Sequence, residues 1–92
     1  MYVWDEAKRE ANRQKHGLDF SEAHLVYENS EKVTFVSPRP DEDRNVDIAM
    51  VEVFGRVLTL VYVERGEDVR VISFRRSSRK ERSAYARAKE EE

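Results

Sequence analysis

Ninety-two residues suit a single domain, residues 1–92, built on one core. Apolar and charged residues each make up 39% of the chain, and a formal net charge of −2 argues against indiscriminate binding to nucleic acid. Cysteine is absent, which excludes disulfides and thiolate metal sites, and no apolar run approaches the roughly 20 residues of a membrane helix, so the expected compartment is the cytoplasm and no membrane partner is expected.

The N-terminus, Met1-Tyr2-Val3-Trp4-Asp5, lacks the positive and then apolar segments of a signal peptide. The first expected element is a helix from Asp5 to His16, capped by Asp5 and stopped by Gly17 in a left-handed conformation. Its apolar stripe is only Ala7 and Ala11, so it must lean on its neighbours through small residues. A second, short helix should follow from the capping-box spacing of Asp19-Phe20-Ser21-Glu22, with Leu18 stapled against Ala23, and end near Glu28-Asn29-Ser30.

The pattern then turns to strands. Lys32 to Ser37 is the first, broken by the two prolines of Ser37-Pro38-Arg39-Pro40. Arg44 to Phe54 is the second, and the opposite parities of Asp47 and Glu52 predict a bulge or an exposed end. Gly55-Arg56 marks a hairpin turn into Val57–Val63, the most apolar strand and the expected centre of the sheet. After a turn at Glu64–Asp68, the strand Val69–Phe74 should alternate, with Arg70, Ile72 and Phe74 facing one way and Val71, Ser73 and Arg75 the other. A last helix opens with the capping-box spacing Ser78-Arg79-Lys80-Glu81 and places Glu81, Ala84, Tyr85 and Ala88 on one face. The expected class is α+β: two N-terminal helices, a curved four-stranded, mainly antiparallel sheet, and a C-terminal helix, with the helices on one face.

Charge is unevenly spread. From Asp19 to Glu52 there are nine acids and three bases, whereas Arg70 to Arg82 carries Arg70, Arg75, Arg76, Arg79, Lys80 and Arg82 against Glu81 alone. Cations in a first helical turn oppose the helix dipole, so a chain selected for stability alone would place acids there. Guanidinium groups beside the free amides of a helix start form a phosphate-binding arrangement. The alternative is a solvated basic face, paired with Asp41–Asp43 or docked on an acidic partner as a non-catalytic binding module. Lys15 and His16 end the first helix, where the dipole favours them, and either can serve as a proton-transfer or phosphate group. Arg44 and Arg65 flank turns and reach either an anion or nearby glutamates. Tyr85 lies on an apolar helix face, from which its hydroxyl can emerge towards a phosphate or base. No zinc pattern, glycine-rich phosphate loop or calcium loop is present, and no metal or cofactor is expected.

Trp4-Asp5, Lys8, Asn12, Lys15-His16-Gly17, Phe20 and Glu22-Ala23, with Glu42-Asp43-Arg44 and then Arg70-Val71-Ile72-Ser73-Phe74-Arg75, Arg79, Glu81 and Tyr85, resemble the BrnT family of toxins over nearly the full length. The family's opening reads W-D-x-x-K-x-x-x-N-x-x-K-H-G-x-x-F-x-x-A and its close R-I-I-S-A-R-x-x-x-R-x-E-x-x-x-Y. The chain departs from it where Ser37-Pro38-Arg39-Pro40 replaces a histidine, where Phe74 replaces a small residue and where Ala49 replaces a glycine. The resemblance implies a fold similar to RelE-type toxins and a metal-independent endoribonuclease that slows growth. It also implies a BrnA-like ribbon-helix-helix antitoxin through which the complex reaches operator DNA. On that reading Lys15, His16, Arg75, Arg79 and Tyr85 are the catalytic candidates. Arg44, Arg65, Arg70, Arg76, Lys80 and Arg82 are the RNA-binding candidates.

Overall fold

A computed structural model describes residues 1–92. The strands are β1 (Tyr2–Val3), β2 (Val33–Ser37), β3 (Arg44–Val51), β4 (Arg56–Arg65) and β5 (Asp68–Arg76). The helices are α1 (Glu6–His16), α2 (His24–Tyr27) and α3 (Arg79–Glu90). All the strands join one sheet in the order β1-β5-β4-β3-β2, with β1 parallel to β5 and the other pairs antiparallel. No helix is long and apolar enough to cross a membrane.

The expected four-stranded, mainly antiparallel sheet is therefore corrected to a mixed sheet of five strands. The added strand is two residues long, too short to carry a period of its own. Backbone bonding rather than side-chain pattern holds it: the Val69 amide donates to the Met1 carbonyl at 2.8 Å, and the Met1 amino group to the Glu67 carbonyl at 2.9 Å. The second helix is also shorter than expected. Asp19 caps a 3-10 turn at Phe20–Glu22 through the Ser21 amide, and only one turn of α-helix follows.

The core lies between one face of the sheet and the α1–α2 layer. Phe20, Ala23 and Val26 pack there against Ala49, Val51, Leu58, Leu60, Val71 and Phe74. β4 is central, as its apolar run implies. α1 offers little apolar surface and is fastened by a polar side chain instead. The buried Asn12 amide donates to the carbonyls of Phe74 (2.7 Å) and Leu18 (3.0 Å), and its oxygen accepts from the Phe74 amide at 3.2 Å. It thereby pairs the stretch of the β5 edge that β1 is too short to cover, satisfying groups whose isolation would cost about 1–3 kcal/mol.

Alternation along β5 does not hold. The register with β4 shifts between Val61 and Tyr62, where Ser73 and Val71 are the successive partners and Ile72 is left over. This bulge returns Phe74 to the same buried face as Val69 and Val71, and sends Arg70, Ser73 and Arg75 to the other. No bulge occurs in β3, whose ladders are regular on both sides. Asp47 points into the protein and is held by Lys32 at 2.7 Å and by the hydroxyls of Thr34 (2.6 Å) and Tyr62 (3.1 Å). Glu52 lies beyond the strand, in the turn before Gly55. Nor do the helices share one face. α3 lies on the opposite side of the sheet, where Glu81 reaches Thr59 and Ala84 stands beside Ile48, so that face is only partly covered.

Candidate active site

Two turns and the Asn12 fastening bring one end of the sheet together. Gly17, with φ of 72°, ends α1 directly after His16, and its amide closes the helix on the Arg13 carbonyl at 2.8 Å. Since Asn12 is tied to Phe74, the last turn of α1 lands beside the end of β5. Gly55, with φ of 63°, turns β3 into β4, so that Arg56 opens β4 next to the place where Arg76 closes β5. Arg76 stands opposite Leu58 and shares the α1 side of the sheet with it and with Arg56. The result is a cavity of about 180 Å³ walled by His16, Gly17, Leu18, Phe54, Arg56, Leu58 and Arg76. A second cavity of about 340 Å³ adjoins it, shares Arg56 and Arg76, and adds Ser77 and Arg82.

Eight of the twelve arginines make no ion pair, and what sets this end apart is that three of them gather around adjoining cavities. Arg9, Arg13, Arg65 and Arg75, like Lys32 and Lys89, each contact a carboxylate. Arg56, Arg76 and Arg82 contact none, and the one fixed contact among them is the Arg82 bond to the Ser77 carbonyl at 2.8 Å. Three guanidinium groups around adjoining cavities repel one another until an anion enters, and planar guanidinium is suited to phosphate. Burial lowers the His16 pKa from its ordinary value, and the positive charges of Lys15 and Arg75 lower it further. At neutral pH its imidazole is therefore uncharged and able to accept a proton.

The other sequence candidates are dispersed. Arg75 and Arg76, adjacent in the chain, point to opposite faces. Arg75 donates to both oxygens of Glu81, at 2.6 and 2.9 Å, which raises the arginine's pKa. Burial pushes the Glu81 carboxyl up, but the bonds from Arg75, the Ser78 amide and the Thr59 hydroxyl outweigh it and hold the group at about 2. Arg44 and Arg70 share the Arg75 face, towards the other end of the strands. Arg65 is taken up by Glu42, with contacts of 2.9–3.2 Å. Lys15 and Arg79 are exposed, and Lys80 stands at a groove between β2 and α3. Tyr85 lies away from the arginines: its hydroxyl donates to the Glu31 carbonyl at 3.3 Å and accepts from the Met50 amide at 3.4 Å. No three histidine, aspartate or glutamate side chains are placed to hold a metal ion together.

Residues 4–81 match the model of the family described as ribonuclease toxin, BrnT, of type II toxin-antitoxin system. The chain belongs to this family. No curated protein matches the chain. Membership makes this protein a ribonuclease toxin, with RNA as substrate and an antitoxin as partner. The matched span takes in His16, Arg56 and Arg76 and ends at Glu81, before Arg82 and Tyr85.

Two residues of this toxin's site region escaped the sequence reading. Arg56 reads only as half of a hairpin turn; what brings it to the site is the antiparallel order β3-β4-β5, which sets the start of β4 beside the end of β5. Glu81 reads as a capping-box residue, which it is, but it also holds Arg75 by two charge-assisted bonds.

Proposed function

We propose that this toxin is a metal-independent endoribonuclease whose reaction takes place in the cleft between His16, Arg56 and Arg76. Arg56 and Arg76 hold the non-bridging oxygens of the scissile phosphate, on which negative charge grows in the transition state. The neutral His16 imidazole takes the proton of the adjacent 2′-hydroxyl, and the 2′-oxygen attacks phosphorus. The bond to the 5′-oxygen breaks, and that oxygen leaves with a proton from the solvent to which the cleft opens. Arg82 holds a neighbouring phosphate, and Phe54, on the cleft wall, offers a face for a base. Arg75 serves through its charge on His16, and Tyr85 holds α3 in place. The products are a 2′,3′-cyclic phosphate and a 5′-hydroxyl. The antitoxin is a BrnA-like protein whose ribbon-helix-helix part carries the complex to operator DNA, and the toxin works in the cytoplasm.

The observation that carries this reading is the meeting of a histidine of lowered pKa with two arginines that lack carboxylate partners, in one cleft. Incubating the purified protein with RNA in the presence of a chelator, and analysing the product ends, tests it. Cleavage leaving cyclic phosphates is expected. Cleavage that vanishes with chelator and returns with magnesium contradicts the mechanism.

A further inference from the structure

The two edges of the sheet are treated differently. At the β5 edge, β1 and the Asn12 side chain occupy the backbone groups. At the other edge, β2 pairs with β3 on one side and with nothing on the other. Edge strands in soluble proteins are shielded by charge, proline, a bulge or a covering element. Residues 33–37 have none of these inside the strand; the first proline is Pro38. At the strand's middle Phe35 is 37% exposed and Val36 57% exposed, and they point to opposite faces. On the Phe35 side runs a groove of about 350 Å³ between β2 and α3, floored by Val46 and Ile48 and walled by Ala84. Lys80 stands on its rim. Neither Lys80 nor Arg79 beside it contacts an acid, while the nearby Glu81 is consumed by Arg75.

We infer that the free edge of β2 is where the antitoxin docks, by adding an extended segment as a sixth strand. This deepens the toxin–antitoxin reading above and rests on it. The five edge residues span about 17 Å, enough for a short strand to bond to the backbone. Alternate apolar side chains of the segment enter the groove beside Phe35 and α3, and an acidic residue at one end meets Lys80 and Arg79. RNA fits this surface poorly. The groove is mostly apolar and offers backbone amides and carbonyls, with Lys80 and Arg79 at one end rather than a row of cations along it, whereas Arg56, Arg76 and Arg82 gather around the two cavities at the other site. A domain of this size has a modest core, so a partner strand also adds to its stability.

The test uses the full toxin and the purified product of the adjoining gene as probe. Hydrogen exchange is followed in the toxin alone and in the mixture, and affinity is measured for the wild type and for Val36→Lys and Phe35→Glu. Both side chains are exposed, so circular dichroism should match the wild type. Slowed exchange within residues 33–37 in the mixture, with affinity at least tenfold weaker in each variant and RNA cleavage by the free variants unchanged, is the expected result. Several outcomes overturn the docking: unchanged affinity with no new protection at β2, an adjoining product that does not bind the wild type, slowed exchange at β2 that tracks self-association of the toxin alone, or loss of RNA cleavage in the variants, which would make the groove an RNA surface. Cleavage by the wild-type toxin alone judges the nuclease reading separately, since no antitoxin takes part in it.

Discussion

Arg75 and Arg76 are neighbours in the chain, yet strand alternation sends them to opposite faces and the bulge at Ile72 sets which face each takes, so replacing each by alanine should separate their tasks. Arg76 is exposed and contacts no carboxylate, so Arg76→Ala removes no hydrogen bond or ion pair of the folded protein and should alter stability by no more than about 0.5 kcal/mol. It does remove a donor aimed at the charge that develops on phosphate, a loss of about 10²–10³ in rate, or about 2.7–4 kcal/mol. Arg75→Ala acts in the reverse sense. It deletes two charge-assisted bonds of 2.6 and 2.9 Å and leaves a half-buried Glu81 without its cation, at a cost of about 1–3 kcal/mol. For a chain of this length each kcal/mol lowers Tm by about 4–8 °C. Cleavage of a fluorogenic RNA, measured well below both melting points, should therefore fall steeply for Arg76→Ala and by less than about tenfold for Arg75→Ala. Wild-type cleavage by Arg76→Ala, with Arg75→Ala folded but inactive, would move the phosphate site to the opposite face of the sheet.

The pH profile of cleavage should fall on the acid side with a midpoint below the ordinary histidine value of about 6.5, because only the uncharged His16 accepts a proton; His16→Gln should lose that limb and about 10²–10⁴ in rate, and Arg75→Ala should shift the limb upward. Glu81 is a carboxyl whose pKa is lowered in the folded state to about 2. Its contribution to stability is complete above the unfolded value of about 4.5 and fades as pH falls towards 2. Thermal melts between those limits should thus show a steeper acid decline in the wild type than in Glu81→Gln, and parallel curves would speak against the pairing. Asn12→Ala orphans the amide and carbonyl of Phe74 in a buried setting, so a loss of about 1–3 kcal/mol in denaturant titration is expected, together with weakened cleavage from the loosened end of α1.

What the sequence made legible was local. Asp5, Gly17 and Ser78 mark helix ends through bonds made within a few residues, and each does what its type implies. The apolar run after Gly55 identifies the central strand because a strand covered on both faces has no polar side to keep. The failures came from distant partners. β1 has two residues and exists because the Val69 backbone is there to bond it. Asp47, out of parity with Glu52, reads as the sign of a bulge or an exposed end until Lys32, fifteen residues earlier, supplies its counter-ion. Most costly was the assumption of strict alternation through Ile72, since one unpaired residue exchanges the faces of everything after it. That exchange is why Arg76 lines the same cleft as His16 while Arg75 is taken up by Glu81. The family pattern held Lys15-His16-Gly17 and the closing arginines together as a motif, but not which of those arginines reach the histidine.

The location of the cut is best tested by NMR titration with a short RNA carrying a single 2′-deoxy substitution, so that it binds without being cleaved at that position. The largest shifts should fall on the His16 imidazole and the guanidinium groups of Arg56 and Arg76, with the histidine's pKa rising as the phosphate enters. Shifts confined to Arg44, Arg70 and Arg75, with His16 unmoved, would place the RNA across the other face of the sheet and contradict the account.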